Sequence, residues 1–398
     1  MATVTLKPGR DARLLGGHLW VYAGEVARVE GSYEPGDAVD VRAADGTFLG
    51  RGYLNPRSTI AVRLLTRRRE AVDAAFFRRR LEAALALRAG GILQAGPAPA
   101  SDAYRLVYSE GDYLPGLVVD RYGDVLVVQV LTLGMARQQA LLVDLLRELT
   151  GVRAIYARND APVRAREGLP REQGWLWGEG PEVAEIHEGP VRFRVALTGQ
   201  KTGFFLDQRE NRAVAAAYLS TLGPAPEALD AFCYTGAFSM HLARAGARVL
   251  GIDIDPDAVA AAAAHARLNG VADRCAFEAV NAFDRLRALV REGRRFDLVV
   301  LDPPAFARTR AALPRAAAGY KEINLRALRL LRPGGILVTC SCSAAVSEAH
   351  LLALVAEAAY DARREVRLLE SRTQARDHPV HPGMPETRYL KCLILRAS

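Results

Sequence analysis

The alternation of hydrophobic and polar residues divides the chain into a strand-rich N-terminal part and a C-terminal part in which strands alternate with helices. In residues 1–68, short alternating runs are separated by Gly and Pro, which is typical of strands joined by turns, and we expect a small β-barrel. Apolar residues then recur with a mostly helical spacing from Val72 to Arg88. From Tyr104 onwards the pattern predicts several strands and a helix over Met135 to Leu149, which together form a compact α+β unit.

After about residue 200, strands and helices alternate regularly. Parallel neighbouring strands need crossover connections, so this order predicts a doubly wound, Rossmann-like sheet of the α/β class. We therefore predict three domains. These are a β-barrel over residues 1–70, a linking helix with a central α+β domain over residues 71–190, and a Rossmann-like domain over residues 191–398.

The net charge of the chain and its distribution are compatible with a polyanionic partner. The net charge is +8, and residues 1–80 contain 14 Lys and Arg against 9 Asp and Glu. A basic surface suits a polyanion such as RNA. Lys occurs at positions 7, 201, 321 and 391 alone, so nearly all the cations are Arg. Arg can fork two hydrogen bonds onto a phosphate, but an Arg-rich chain equally reflects genome composition. The run Arg67, Arg68, Arg69 is therefore either part of an RNA footprint or the solvated end of an element.

Composition argues against several other classes of protein. The five cysteines show neither framework spacing nor paired CxxC motifs, so we expect neither a disulfide scaffold nor a metal site. The polar N-terminus lacks the apolar core of a signal peptide. The longest apolar run, residues 125–136, is about half as long as a membrane span. We expect a reduced, cytoplasmic protein that binds no membrane, and the sequence leaves both a monomer and a homodimer open.

The residues that follow the predicted strands indicate a nucleoside cofactor, because ligands of doubly wound sheets bind beyond the carboxyl ends of the strands. The loop after the first of these strands holds a single glycine, Gly236, and is not the phosphate cradle of dinucleotide enzymes. Asp253 suits two ribose hydroxyls and Asn281 an adenine amine. An acid after a strand is by itself more often a helix N-cap. Together with Asp302-Pro303-Pro304 after the fourth strand, the joint pattern indicates a class I methyltransferase core. The candidate cofactor-binding residues of this pattern are Asp230, Tyr234, Thr235, Gly236, Asp253, Asn281, Asp302 and Pro303.

A pair of cysteines ends the later predicted strand GGILVTCSCS. Cys340 and Cys342 share one face of the strand, and are either small buried residues or a nucleophile at the mouth of the cofactor site. Carbon C5 of cytosine is a poor nucleophile, and a thiolate that adds at C6 makes C5 reactive towards a methyl donor. Cys342 lies further out and is the candidate nucleophile. Asp302 is the candidate for stabilising charge near N3 of the ring, and Phe306 for stacking on an extruded base.

At these residues the chain resembles the 23S ribosomal RNA cytosine-C5 methyltransferases, which join an N-terminal PUA domain to a Rossmann-like methyltransferase domain. The resemblance covers essentially the whole chain. The motifs that carry it are GQKTGFFLDQR from Gly199, DAFCYTGAFS from Asp230, LDPPAF from Leu301, TCSCS from Thr339, and Asp377-His378-Pro379.

The resemblance implies S-adenosylmethionine as the cofactor and 23S-type ribosomal RNA, free or in a pre-ribosomal large subunit, as the partner. It implies that Cys342 is the nucleophile, that residues 1–68 are a PUA domain, and that KTGFFLDQR lies at the entrance for cofactor and substrate. Within that motif it implicates Lys201 and Arg209 towards RNA, and Phe205, Asp207 and Gln208 towards the cofactor. Two departures matter: Asn281 stands where an acid is commoner, and Ala305 stands where another group of cytosine-C5 enzymes has a second cysteine. The second departure favours Cys342 acting alone.

Proteins with other activities share some of these sequence features. Guanine-N7 methyltransferases of ribosomal RNA share the KTGFFLDQR and DPP features but need no thiol, whereas a uracil-C5 methyltransferase would also use one. Amino-group methyltransferases tend to carry an aromatic residue directly after the DPP segment, where this chain has Ala305. A non-catalytic RNA-binding assembly factor would be free to lose Asp253, Asp302 and Cys342, which this chain retains.

Overall fold

The computed structural model describes residues 1–89, 100–198, 203–307 and 310–398. The predicted site residue Lys201 lies outside these ranges. No helix within them is long and apolar enough to cross a membrane. Within the same ranges, no group of three or more His, Cys, Asp or Glu side chains is arranged to hold a metal ion.

The N-terminal alternating runs form one mixed sheet. Its strands are β1 (Thr3–Leu6), β2 (Trp20–Tyr22), β3 (Val26–Glu30), β4 (Ala38–Arg42), β5 (Phe48–Leu54) and β6 (Ile60–Thr66), and a short helix α1 (Ala12–Leu15) precedes β2. The spatial order is β2-β6-β5-β4-β1-β3, in which β1 and β4 run parallel and the other neighbours antiparallel. Aliphatic side chains such as Val4, Val41 and Val62 are fully buried in its core, which also contains Met384 from the distant C-terminal part of the chain.

A central unit follows. It consists of α2 (Ala74–Ala89), β7 (Ala103–Tyr108), β8 (Leu117–Tyr122), β9 (Val125–Val130), α3 (Leu133–Arg137), α4 (Gln139–Thr150), β10 (Ala154–Asn159), α5 (Val163–Arg166) and β11 (Glu172–Trp177). The sheet order is β11-β10-β9-β8-β7, and side chains of α2 and α4 share a core with it. The helix predicted over Met135 to Leu149 is interrupted at Gln138. The φ and ψ of Gln138, −100° and 4°, leave the helical range and separate α3 from α4.

The next strands, β12 (Val183–Glu188) and β13 (Val191–Ala196), form an antiparallel hairpin that turns at Gly189, which has a φ of +57°. Its apolar residues, Ile186 and Phe193 among them, share a core with the C-terminal sheet. The predicted domain boundary between residues 190 and 191 falls at this turn, and that boundary stays a prediction.

The C-terminal sheet is doubly wound. Its elements are α6 (Arg209–Ala217), β14 (Glu227–Ala231), α7 (Ala237–Arg244), β15 (Arg248–Asp253), α8 (Pro256–Leu268), β16 (Cys275–Ala279), α9 (Ala282–Arg291), β17 (Phe296–Leu301), α10 (Leu313–Leu330), β18 (Leu331–Ser341), α11 (Glu348–Ala362), β19 (Val366–Arg372) and β20 (Lys391–Ala397). The order is β16-β15-β14-β17-β18-β20-β19, with β20 antiparallel to both of its neighbours. Apolar side chains of α6, α7 and α8 pack on one face, and those of α9, α10 and α11 on the other. The carboxyl ends of β14, β15, β17 and β18 consequently meet at one edge.

Residues 373–390, which connect β19 to β20, form a segment that we call the returning segment because it reaches back to the two preceding units. The amide of Leu19 donates to Sδ of Met384 at 3.2 Å. The backbones of Gly17 and Gly383 are so close that a Cβ on Gly383 would lie 2.5 Å from the Gly17 carbonyl carbon. In the central unit, the amide of Arg105 donates to Oδ2 of Asp377 at 2.9 Å. The returning segment, which belongs to the C-terminal unit, thus contacts both of the preceding units.

Candidate active site

A cavity of about 630 Å³ opens at the carboxyl ends of the parallel strands of the C-terminal sheet. Most of its surface is apolar and aromatic, and a few carboxylates and the thiols of Cys233 and Cys342 also line it, as is usual for ligand sites. Several predicted site residues line it together: Phe205, Asp207, Gln208, Tyr234, Thr235, Asp253, Asn281, Asp302, Pro303, Phe306 and Cys342.

The loop between β14 and α7 forms one wall and adopts an uncommon backbone. Phe232 and Tyr234 have φ values of +66° and +49°, in the left-handed region that few residues other than glycine adopt. Gly236, with a φ of +78°, then begins α7. A Cβ on Gly236 would lie 2.9 Å from the Cβ of Ala262, so this glycine lets α7 approach α8 closely. The resulting tight turn brings the side chains of Tyr234 and Thr235 to the cavity.

Asp253 ends β15 and is fixed by the backbone around it. Its Oδ2 accepts from the amide of Tyr234 at 2.8 Å, and its Oδ1 from the amide of Asp255 at 3.0 Å. Each carboxylate oxygen can accept a second hydrogen bond, so the group can bind a pair of hydroxyls. Asn281 is exposed at the start of α9, where its Oδ1 caps the helix by accepting from the amide of Phe283 at 2.9 Å.

Asp230 lies below the cavity rather than in its lining. It is 1% exposed, and its Oδ2 accepts from both the amide and the hydroxyl of Ser239 in α7, at 2.9 and 2.6 Å. Burial raises the pKa of Asp230 to about 6. This placement argues against the predicted contact of Asp230 with a cofactor, because its side chain is directed to α7. Gly236 is also absent from the lining, and its contribution is the turn described above.

Asp302 directly follows β17, and its carboxyl group is partly buried near two other acids. Burial raises its pKa to about 7, and the charges of Asp207 and Asp230 contribute in the same direction. Its Oδ1 accepts from Nε2 of Gln208 at 3.0 Å. The amide of Gln208 is itself oriented, because its Oε1 accepts from Nδ2 of Asn211 at 2.7 Å. A proton on Asp302 therefore belongs on Oδ2.

Asp207 has one carboxylate oxygen that the described part of the protein leaves without a hydrogen bond. Its Oδ2 accepts from the hydroxyl of Tyr389, whereas its Oδ1 is buried without a hydrogen-bond partner. A buried carboxylate oxygen without a partner costs free energy unless a ligand satisfies it. The site thus fits a ligand that presents a pair of hydroxyls to Asp253 and a hydrogen-bond donor or positive charge to Asp207.

Cys342 follows the last residue of β18 and is half-buried in the cavity wall. Burial raises the pKa of its thiol, as do the charges of Asp302 and Asp207, whereas the charge of Lys391 lowers it. Cys340 is fully buried and lies opposite Cys392 on β20, away from the cavity lining. Of the CxC pair, only Cys342 reaches the cavity.

Aromatic side chains complete the site. Phe205 is 57% exposed at the entrance and contacts Tyr234 edge to face, with 5.3 Å between the ring centroids. Phe306 is half-buried and packs against Tyr320 at 4.7 Å and Phe283 at 5.7 Å. These rings give the cavity flat apolar surfaces of the kind on which bases stack.

Other predicted residues lie outside the cavity. Arg209 is 1% exposed, and its Nη1 donates to the carbonyl oxygen of Ala103 at 3.1 Å and lies 3.4 Å from Oδ2 of Asp377. This interior position argues against its predicted contact with RNA, because the guanidinium has no surface to offer. The residues Arg67, Arg68 and Arg69 are exposed beyond β6 and do not line the cavity.

Several residues of the site were not predicted from the sequence. Arg212, Phe232, Phe283 and Tyr389 line the cavity, and Lys391 acts on the thiol of Cys342. The only sequence feature that distinguishes Lys391 is its type, since lysine is rare in this chain.

In this doubly wound sheet, the loop after the first strand lacks the glycine-rich cradle that binds phosphate, and the second strand ends in an acid. This combination is typical of the methyltransferase class. A family model described as S-adenosylmethionine-dependent methyltransferase matches residues 106–396, and one described as a PUA-like domain matches residues 4–67. The chain therefore belongs to the S-adenosylmethionine-dependent methyltransferases, and it carries a PUA-like domain at its N-terminus. The predicted fold class, enzyme class and cofactor are confirmed.

Similar proteins agree with this family along the whole chain. A protein of Shewanella denitrificans named Ribosomal RNA large subunit methyltransferase I is 42% identical, over 99% of this chain and 98% of its own length. A protein of Aeromonas hydrophila with the same name is 41% identical, over 100% and 99%. The structure of an S-adenosylmethionine-dependent methyltransferase from Streptococcus mutans has a TM-score of 0.82, with 20% identity and full coverage of both chains. A methyltransferase structure in complex with SAH gives the same values, and at this identity both structures show the fold alone.

Proposed function

We propose that the protein transfers a methyl group from S-adenosylmethionine to C5 of a cytosine in large-subunit ribosomal RNA, through a covalent bond between Cys342 and C6 of the base. The observation that carries the proposal is the presence of the Cys342 thiol and the Asp302 carboxyl in the wall of one cavity. Methylation of an already nucleophilic ring nitrogen has no use for such a thiol. The names of the relatives support large-subunit ribosomal RNA as the substrate.

When bound, S-adenosylmethionine supplies an electrophilic methyl group on a cationic sulfur. In this proposal Asp253 binds the two ribose hydroxyls and Asn281 binds the adenine amine. The carboxylate of Asp207 would hold the positively charged part of the cofactor at its buried Oδ1. Phe205, Tyr234, Thr235 and Pro303 line the cavity and would contact the cofactor.

Cys342 and Asp302 act on the cytosine. The sulfur of Cys342 forms a bond to C6, which places electron density on C5 and charge on N3. Because its pKa is about 7, Asp302 is largely protonated below neutral pH and can supply a proton to N3 from Oδ2 while Gln208 holds Oδ1. Carbon C5 then takes up the methyl group, and the electron pair of the broken carbon–sulfur bond stays with the sulfur of the donor. Loss of the C5 proton to a base restores the ring and breaks the bond between the Cys342 sulfur and C6, and N3 returns its proton to Asp302.

RNA binding is assigned to the N-terminal PUA-like domain and to the cavity entrance. Under this proposal Arg67, Arg68 and Arg69 contact phosphates, and Phe306 stacks on the extruded base. Lys201, from the motif GQKTGFFLDQR, is also proposed to contact RNA. The domain division at residues 70 and 190 is proposed with it.

Trapping of the covalent intermediate tests the proposal. The protein is incubated with cofactor and with large-subunit ribosomal RNA in which 5-fluorocytosine replaces cytosine, and is then run on a denaturing gel. Fluorine at C5 blocks the final elimination, so we expect a stable protein–RNA adduct. The adduct should form with Cys340→Ala, the matched control two residues away, and be absent with Cys342→Ala.

Other outcomes would redirect the assignment. If an adduct forms with RNA that contains 5-fluorouracil but not with RNA that contains 5-fluorocytosine, the result would favour a uracil-C5 methyltransferase. Methyl transfer to ordinary RNA without any adduct would contradict carbon methylation and favour guanine N7. Binding of RNA without methyl transfer would favour an assembly factor.

A further inference from the structure

The side chain of Lys391 is buried next to the nucleophile proposed above. The residue begins β20, pairs in register with Ser341 of β18 and is 6% exposed. Its Nζ donates to the carbonyl oxygen of Ser343 at 2.8 Å and to that of Tyr389 at 2.7 Å. Ser343 is the neighbour of Cys342 in the chain, and Tyr389 lines the same cavity. The ammonium group therefore joins the two backbone segments that flank the thiol.

The charges around Cys342 oppose one another. Burial, Asp302 and Asp207 all favour the neutral thiol, and the positive charge of Lys391 favours the thiolate. Burial lowers the pKa of Lys391 to about 8, Cys342 acts to raise it, and Arg388 acts to lower it. The lysine and the cysteine thus influence each other directly, in the manner of a cationic group beside a reactive cysteine.

The type of this residue is informative in a chain that uses arginine almost everywhere. Only four of the 53 cationic side chains are lysines. A compact ammonium group places a concentrated charge between two carbonyl oxygens, whereas a guanidinium spreads its charge over a wider plane. A concentrated charge acts more strongly on a single neighbouring sulfur than a spread charge does.

We propose that Lys391 is a positioning residue whose buried ammonium group, held beside Cys342 by the carbonyl oxygens of Ser343 and Tyr389, favours the anionic form of the Cys342 sulfur as it attacks C6. This inference rests on the proposed role of Cys342 as the nucleophile. The thiol proton passes to solvent through the cavity, and the ammonium group keeps its three protons. The electron pair freed on sulfur forms the bond to C6. When that bond breaks after methyl transfer, the pair returns to sulfur next to the same ammonium group.

The pH dependence of alkylation tests the proposal without RNA or cofactor. The full-length protein is treated with iodoacetamide from pH 6 to pH 11, and modification of Cys342 is measured by mass spectrometry of its peptide. In Lys391→Met we expect the midpoint for Cys342 to rise by about one pH unit or more, so that alkylation at pH 7 becomes about tenfold slower. Lys321→Met is the matched control, since this half-buried lysine pairs with Glu357 and Asp361 and does not line the cavity. An unchanged midpoint in folded Lys391→Met would overturn the proposal.

A second measurement keeps the test valid if Lys391→Met does not fold. Because the chain has four lysines, protein labelled with ¹³C at lysine Cε gives few signals, and that of Lys391 is assigned with Lys391→Arg. In Cys342→Ser, which removes the thiolate, we expect the Lys391 signal to titrate at a lower pH than in the unsubstituted protein. Identical titration curves would show that the two groups are not coupled, and would also overturn the proposal.

The two proposals fail in different ways. If the 5-fluorocytosine adduct forms but neither pH midpoint moves, Cys342 is the nucleophile and Lys391 has only a structural role. If the midpoints move and no adduct forms, the thiolate is stabilised by Lys391 but the proposed cytosine chemistry is wrong.

Discussion

At the scale of single residues, the pKa of Asp302 is set by the interior of the protein rather than by solvent. Its carboxyl group is held by Gln208 and faces two other acids, so its neutral form is favoured up to about pH 7. A neutral carboxylic acid can donate a hydrogen bond or a proton, which an ionised one cannot. The same surroundings that suit it to protonate a ring nitrogen make its ionisation unfavourable.

Asp302→Asn should therefore change both stability and activity with pH. The folded protein binds the Asp302 proton more tightly than the unfolded chain, whose carboxyl titrates near pH 4. The resulting stabilisation is present below pH 4 and is lost as the pH rises to 7. The unsubstituted protein should lose about 2–4 kcal/mol more unfolding free energy across this window than Asp302→Asn does, measured by urea denaturation. Methyl transfer at pH 7 should fall about 100-fold. Equal pH slopes in the two proteins would contradict this account, and the exposed Asp273→Asn is the control.

At the scale of elements, a buried ion cluster fastens the β12–β13 hairpin to the C-terminal sheet. Glu188 of β12 is fully buried, and its carboxylate pairs with Arg212 of α6. On the other side, its Oε2 lies 2.9 Å from Nε2 of His241 in α7. These favourable charges outweigh burial and hold the pKa of Glu188 at about 2. One carboxylate thus fixes the relative positions of a hairpin and two helices.

Glu188→Gln should be strongly destabilising, because it leaves Arg212 buried without a counter-charge. We expect a loss of about 3–5 kcal/mol in unfolding free energy, measured by chemical denaturation at pH 7. Glu185→Gln is the matched control on the same strand. Its partner Arg192 is exposed, so the change should cost under about 1 kcal/mol. Similar losses in both variants would show that the cluster has no special role.

How far the elements and the site could be predicted depends on where the residues lie along the chain. Asp253 and Asn281 could be placed from the sequence, because parallel strands bring their carboxyl ends to one edge. Asp230 could not, because it precedes the last residue of β14 and its side chain is directed to α7. Lys391 begins β20, and Tyr389 precedes that strand. Because β20 is antiparallel to its neighbours, its start lies at the edge where the parallel strands end, which the order of elements in the sequence does not reveal. The interruption of the central helix at Gln138 depends on local backbone angles that apolar spacing does not encode.

At the scale of the whole molecule, the basic residues of the N-terminal domain lie apart from the cavity in which the chemistry is proposed. Arg69 is exposed, with its guanidinium 4.3 Å from the ring centroid of Phe48, and Arg68 is its exposed neighbour. Phosphate contacts at these positions would extend the RNA footprint from the entrance of the cavity to the first sheet. Such contacts position the RNA without reading its sequence.

Salt dependence of RNA binding tests this footprint. In the double variant Arg68→Glu, Arg69→Glu, the slope of log affinity against log salt concentration should become shallower by about 1–2, measured by filter binding to ribosomal RNA. Arg367→Glu, on the exposed edge strand β19, is the control and should leave the slope unchanged. If the double variant keeps the original slope, these arginines do not contact phosphates.

The returning segment also has a consequence for the order in which the chain matures during synthesis. Met384 completes the core of the first sheet, and it is made 365 residues after Leu19, whose amide it binds. The N-terminal domain therefore emerges from the ribosome with an incomplete core and must wait for most of the polypeptide before that core closes. Translation that stops early would leave a PUA-like domain of reduced stability, which cellular proteases degrade preferentially.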